Sequence, residues 1–425
     1  SGCATVPLES SFREVQAEVA ADRGYVLEWS GITATPDAIA QTIDSMLMDG
    51  LTLDESIRIA VLNNAGLQAA YEDYGVARAE LVSAGLLENP VLSGSVVFEN
   101  SSSQAWELEV VEAFLSVLTL PLRRAVARDE LEQARLDILS ASLDVAMDTR
   151  RAFLHYEADR EAFALLTQSA QRMRGGGNIT LVQLAESQSR MEEARLSFGA
   201  AELDLEASRE RVNRLMGLWG RAAQWEAAST LSEQIEPLDT EVNYEREAIA
   251  NSLDLARSWL DIQLAARRAG LHNVEEVFPD FEVGAKFESV EPESGDREWE
   301  VGPAFAVSIP IFNQGQAARA MGKASVRRQW NLYTGTAVEV RSAARAAAYQ
   351  VRVAGDMAVY ERDVSVPLAN HMVDQALLEY NAMLIGPEAL LRVKQAALRT
   401  EMAYVQALLE YWLARTDLDQ ILMGR

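Results

Sequence analysis

Phe281-Glu282-Val283-Gly284-Ala285-Lys286-Phe287-Glu288 is the stretch on which the fold turns. Its odd positions are apolar and its even positions polar or Gly, the period of two that a strand with two unlike faces requires. Beyond a turn at Pro292-Glu293-Ser294-Gly295-Asp296 the pattern resumes. Trp299, Val301, Phe305, Val307 and Ile309 take odd positions, with Glu298, Glu300, Gly302 and Ser308 between them. An earlier pair of segments repeats it more loosely: Leu92, Val96 and Phe98, a turn at Asn100-Ser101-Ser102-Ser103, then Trp106, Leu108 and Val110 against Glu107 and Glu109. Each segment supplies the roughly 9 to 11 residues of a tilted membrane strand, with an aromatic near one end as in an interfacial girdle. Two soluble hairpins with one buried face would alternate in the same way. Four strands cannot close a barrel, for which about eight is the smallest useful number, and an open edge cannot face lipid. A membrane reading therefore requires several chains to pool their strands, and three copies would give twelve.

The chain has 425 residues, 49% of them hydrophobic and 24% charged, with a formal net charge of −26. Its 38 basic residues against 64 acidic ones argue against nucleic acid, whose binding is driven by counterion release onto Lys and Arg. One Cys excludes a disulfide framework and a Cys-based zinc site. His155, His272 and His371 lie far apart without ligand-spaced neighbours, so no metal centre is expected. No phosphate loop, nucleophile elbow or convergent His and carboxylate set is present, so neither an enzyme nor a cofactor is expected. No run approaches the roughly 18 apolar residues of a spanning helix. Ser1-Gly2-Cys3 looks like the end of a bacterial lipobox, and a covalent lipid on Cys3 is expected. Ala4 after the Cys resembles lipoproteins sent to the outer membrane.

Landmarks recur in order. Asn63-Asn64-Ala65-Gly66-Leu67 returns in outline as Asn251-Ser252-Leu253-Asp254-Leu255, an offset of 251 − 63 = 188. Pro90 and Pro279, Leu120-Pro121-Leu122 and Ile309-Pro310-Ile311, and finally Leu215-Met216-Gly217 and Leu422-Met423-Gly424 follow in the same sequence. A tandem duplication is the reading. It gives an N-terminal segment 1–50, a first repeat 51–217 with strands at about 90–99 and 106–120, a connector 218–239, and a second repeat 240–425 with strands at about 280–289 and 298–310. Each repeat reads helix, two strands, long helix, return helix.

The helices carry coiled-coil seams. Leu184, Met191, Phe198, Leu205 and Val212 recur every seven residues, as do Leu391, Leu398, Val405 and Trp412. The helix after Pro121 has two stripes, one from Leu131 through Ile138 and Val145 to Ala152, the other of Leu136, Leu139, Leu143 and Ala146. Two adjacent seams suit a helix held between neighbours in a palisade. A large soluble helical bundle would permit the same stripes. Measured from Pro121 to Ile179 and from Pro310 to Gly386, the long helices differ by 76 − 58 = 18 residues, about five turns at 3.6 per turn.

The order of elements, Leu51-Thr52-Leu53-Asp54-Glu55-Ser56-Ile57, Ile309-Pro310-Ile311-Phe312-Asn313-Gln314-Gly315 and the Gly-containing helix turns resemble TolC-type outer-membrane efflux proteins from about residue 50 to 424. Tyr380 before Gly386, Val366-Pro367-Leu368-Ala369 and Arg211 to Gly220 are more similar to the lipid-anchored ducts paired with resistance-nodulation-division pumps, heavy-metal exporters included. The resemblance implies a mainly α chain with membrane β: a homotrimer whose helices form a periplasmic α-barrel and whose strands form one 12-stranded transmembrane barrel in the outer membrane of a Gram-negative bacterium. On it, residues 1–50 pack on the helical barrel and 218–239 lie at its equator. A periplasmic membrane-fusion adaptor, an inner-membrane pump and outer-membrane lipid are the implied partners, and passive conduction outward is the implied function. A lipid-tethered periplasmic helical scaffold or adaptor without a barrel is the alternative.

Site residues follow from both sources. The turns Gly175-Gly176-Gly177-Asn178-Ile179-Thr180 and Leu384-Ile385-Gly386-Pro387 correspond to the family's periplasmic tips, where the adaptor docks. Glycines suit a reversal because they tolerate positive φ, and Pro387 suits a first helical turn. Arg172, Arg174 and Tyr380 flank the tips as gate contacts. From the alternation, Glu99, Glu107, Glu109, Glu282, Glu288, Glu298 and Glu300 are candidates for the lumen or its mouth, where acidic rings favour cations.

Overall fold

A computed structural model of the chain describes residues 6–23, 26–87, 89–99, 103–172, 181–239, 241–277, 281–290, 298–307, 311–312 and 314–425. In chain order these form α1 (Leu8–Arg23), α2 (Pro36–Met46), α3 (Leu53–Asn63), α4 (Ala65–Ala84), β1 (Val91–Glu99), β2 (Ser103–Ala113), α5 (Phe114–Arg172) and α6 (Leu181–Met216). Then come α7 (Tyr244–Asn251), α8 (Leu253–Val277), β3 (Phe281–Val290), β4 (Glu298–Val307), α9 (Gln316–Tyr360), a π-helical turn at Glu361–Ser365, α10 (Val366–Asn381) and α11 (Pro387–Leu422). The helix α3 opens with a capping box: the Thr52 hydroxyl accepts from the Glu55 amide and the Glu55 carboxylate accepts from the Thr52 amide.

The second strand is shorter at its far end than expected. Residues 114–120, assigned to a strand reaching 120, are helix, and Pro121 lies inside α5 rather than at its start. Phe114, Leu115, Val117, Leu118 and Leu120 form an apolar run whose 3- and 4-residue spacings serve a helix as well as a strand. Near the proline the Arg123 guanidinium donates to the Ser116 carbonyl at 2.8 Å, one satisfied acceptor beside the place where Pro withholds an N–H. Ile179, one of the marks from which the 18-residue asymmetry is measured, lies outside the described residues. Described helix covers 59 residues in α5, against 45 + 5 + 16 = 66 from α9 through α10, a difference of 7. Among the described residues the return helices α6 and α11 each span 36 residues.

The chain forms two compact units that do not follow the repeat: one built on Glu72–Asp137 and Leu255–Thr336, the other on Glu9–Tyr71, Ile138–Asp254 and Ala337–Arg425. The first holds the antiparallel sheet, in the order β1-β2-β3-β4. Within it α8 is tied to α5 by ion pairs, Arg267 with Asp129 at 2.5 Å and Arg257 with Asp137.

In the second unit four helices lie side by side. Phe153 and Tyr156 of α5 share a core with Val212 and Met216 of α6. On its other side α5 packs Leu154 and Ala158 against Val405, Leu408 and Leu409 of α11. Helix α11 in turn packs Tyr411 and Leu418 against Ala347 and Val351 of α9. The order is α6-α5-α11-α9, and α5, the helix with two stripes, is an inner member of the row. The connector crosses the row as a strap. Trp225 enters the α5–α6 core and donates to Asn213 at 2.7 Å. Ser229 donates to Glu157 of α5 at 2.6 Å, Trp412 of α11 to the Ser232 carbonyl at 2.7 Å, and Ile235 and Leu238 reach the α9–α11 cluster.

Candidate functional site

Register fixes which residues share a face of the sheet. Opposite residues in an antiparallel ladder lie on the same face. Gly94 pairs with Leu108, Leu108 with Phe287 and Phe287 with Val301, so one row across four strands is apolar. The next rows on that face are Leu92, Val110, Ala285 and Pro303, and, with Val96, the two tryptophans Trp106 and Trp299 at one end. This face is open: Val301 is 66% and Phe305 79% exposed, an arrangement that soluble monomers avoid. In the register Glu112, whose side chain lies outside the described residues, pairs with Val283 near the end of β2.

The opposite face is lined by carboxylates. Ser95 pairs with Glu107, Glu107 with Glu288 and Glu288 with Glu300, a single row. In the neighbouring row stand Ser93, Glu109, Lys286 and Gly302. The Lys286 ammonium lies 2.7 Å from Glu107 and 3.6 Å from Glu288, and the Ser95 hydroxyl donates to Glu107 at 3.2 Å. Of the seven acids expected here, the structure therefore brings Glu107, Glu288 and Glu300 into one row with Glu109 beside it. Glu99, Glu282 and Glu298 belong to the strands, but their side chains lie outside the described residues. The alternation pointed to the acids and missed the lysine among them.

The second helix turn departs from expectation. Its left-handed residue is Met383, at φ 60°, whereas Gly386 is extended at φ −81° and serves as N-cap of α11, with Pro387 in the first turn. The Leu384 amide donates to the Glu379 carbonyl and the Met383 amide to Tyr380, each at 2.9 Å, the bonding of a Schellman stop one position where Gly is the usual occupant. The Asn381-to-Gly386 reversal thus uses Gly386 for its cap and not for a positive φ. Met383 is 92% exposed; Leu384 and Tyr380 are exposed as well, and Ile385 is half-buried. The first turn, Gly175 to Thr180 with Arg174, and the Arg172 side chain lie outside the described residues, as does Cys3.

Among the described residues no helix is long and apolar enough to cross a membrane, and no three His, Cys, Asp or Glu side chains gather as metal ligands. No protein-family model and no curated protein matches the chain in sequence. Solved structures do match in shape. The Campylobacter jejuni CmeC outer membrane channel aligns at TM-score 0.71 and 15% identity, over 95% of this chain and 91% of that one. The Neisseria gonorrhoeae MtrE outer membrane channel, in its open state, aligns at 0.71 and 16%, over 88% and 89%. The chain has the TolC-type channel fold. Vibrio cholerae VceC, an outer membrane protein of the same TolC-type fold, aligns at 0.67 and 16%, over 88% of this chain and 96% of that one.

Proposed function

We propose that the chain is one subunit of a homotrimeric outer-membrane exit duct for efflux. The observation that carries this reading is the four-stranded sheet with an open apolar face, a carboxylate face and both outer strands, β1 and β4, without a further strand partner among the described residues. Lipid would cover the first face and water the second. The unpaired edges would close on other copies, because exposed strand edges cannot stand in hydrocarbon. Twelve strands from three copies make one barrel.

The helical row supports the same closure. Its end helices keep apolar residues exposed on their outer faces: Leu196 and Leu203 on α6, Tyr349, Met357 and Tyr360 on α9. In a ring of copies α9 of one chain meets α6 of the next, heterologously, and the ring closes. Substrate delivered from the inner membrane would pass outward by diffusion, the energy being supplied by a resistance-nodulation-division pump through a periplasmic adaptor. The exposed Met383-Leu384 turn and its counterpart at 175–180 are the proposed docking surface, with Arg172, Arg174 and Tyr380 at the gate. A lipid on Cys3 would tether the N-terminal segment to the outer membrane.

Purification tests the reading. The duct is extracted only with detergent, has the mass of three chains and conducts ions in planar bilayers. A monomer that stays in aqueous buffer after Cys3→Ser, and does not conduct, would instead identify the tethered scaffold.

A further inference from the structure

We propose that Lys286 sets the ion selectivity of the conduit by holding one positive charge per chain against the carboxylate row Glu107–Glu288–Glu300. The inference rests on reading the polar face of the sheet as the conduit wall. Three carboxylates that face one another directly on adjacent strands repel, and such pairs destabilise a ladder. Lys286 stands in the neighbouring row, opposite Glu109, yet its ammonium reaches diagonally across to Glu107 at 2.7 Å and along its own strand to Glu288 at 3.6 Å. It therefore bridges β2 to β3, the junction between the hairpins of the two repeats, and lowers the charge of the row from −3 to −2 per chain.

Only three of the 38 basic residues are lysines, and Lys286 is the one basic residue within the four strands. Its ammonium is a compact charge that two carboxylates can share, and the charge rather than the shape of the group is what the row responds to. Acidic rings favour cations in a pore, so a lysine within one tempers that preference, three times over in a trimer.

Reversal potentials across planar bilayers in a salt gradient test this on the full-length trimer. Lys286→Gln is expected to raise the cation-to-anion permeability ratio by about twofold or more, while Lys286→Arg, which keeps the charge, leaves it near the wild-type value. Glu107→Gln alone is expected to lower the ratio, and Glu107→Gln with Lys286→Gln, which restores the net charge, to return it to wild type. That pair keeps the test decisive if Lys286→Gln alone fails to assemble. An unchanged ratio in Lys286→Gln, or an equal shift in Lys286→Arg, overturns the role of Lys286 while leaving the duct intact. If the triple variant Glu107→Gln, Glu288→Gln, Glu300→Gln conducts with unaltered selectivity, the polar face is not the conduit wall and the parent reading falls with it.

Discussion

The side-chain amide of Asn63 donates to the carbonyls of both Met216 and Gly217, each at 3.0 Å, and so joins the end of the first helix of a repeat to the end of its return helix. Gly217 has φ 65°, and a Cβ there would stand 2.8 Å from the Asn63 carbonyl oxygen. The second repeat is built alike. Asn251 donates to the Leu422 carbonyl at 2.9 Å, and Gly424, at φ 113°, packs against the Asn251 carbonyl. Gly217→Ala and Gly424→Ala are expected to cost about 2 kcal/mol or more each, from a left-handed conformation and a blocked contact. Asn63→Ala should cost about 1 to 2 kcal/mol, by stranding two acceptors. Denaturant unfolding in detergent measures both, and a neutral Gly424→Ala would refute the shared clamp.

Phe305 and Glu300 lie on opposite faces of β4. Phe305→Arg is expected to oppose barrel insertion by about 2 to 4 kcal/mol per chain if the position sits near the bilayer midplane. Glu300→Gln should leave insertion unchanged. The fraction of protein recovered in outer-membrane vesicles distinguishes them, and equal recovery of the two variants would contradict the assignment of lipid to the apolar face.

Burial raises the carboxyls of Glu157, Asp159 and Glu161 above the usual range, with Ser229 opposing at Glu157, Ser208 at Asp159 and Glu233 adding to the rise at Glu161; burial lowers His155. Above the ordinary carboxylate value the folded chain binds more protons at these acids than the unfolded chain, so stability falls as pH rises toward the raised values. His155 acts oppositely, and its contribution is lost as pH falls below the ordinary imidazole value. Glu157→Gln keeps an acceptor for Ser229 and removes the buried charge. Its unfolding midpoint should exceed that of wild type above neutral pH and approach it in acid, and a lower midpoint at both would show that the charge itself is needed.

Met383 holds a left-handed conformation that costs a non-Gly residue roughly 1 to 2 kcal/mol. Met383→Gly is therefore expected to stabilise the turn while leaving the fold unchanged. If the turn docks an adaptor, Met383→Lys with Leu384→Lys abolishes export in cells and preserves the trimer. Retained export in that double variant would remove the turn from the docking surface.

Leu203 of α6 and Met357 of α9 are exposed on the two outer helices of the row. A carboxylate at either position would be buried at the proposed ring contact, so Leu203→Glu and Met357→Glu should each shift the trimer toward monomer in sedimentation. A normal trimer from both would place the contact elsewhere.

How much of this could be read from the residues alone is settled element by element. Alternation from Phe281 to Glu288 determined β3 and both of its faces, because a pleated chain sends successive side chains to opposite sides whatever lies beyond. Spacing of seven picked out Val212 of α6 and Val405 of α11, which are buried, but α11 buries Leu390 and Ala397 more deeply than the seam positions Leu391 and Leu398; the doubled stripe of α5 agrees with its place between two neighbours. The ordered landmarks pointed to a repeat, and Asn63 and Gly217 were legible only as markers and not as partners 154 residues apart. Where β2 ends and α5 begins was not legible, since residues 114–120 are apolar at spacings that suit either state. Nor was the left-handed residue of the second turn: Gly386 advertises positive φ by composition, while the Schellman bonding of Leu384 and Met383 placed it on Met383. Only pairing between strands, which fixes rows perpendicular to the chain, could put Lys286 between Glu107 and Glu288. A sequence carries period along the strand, and tertiary structure alone carries register across it.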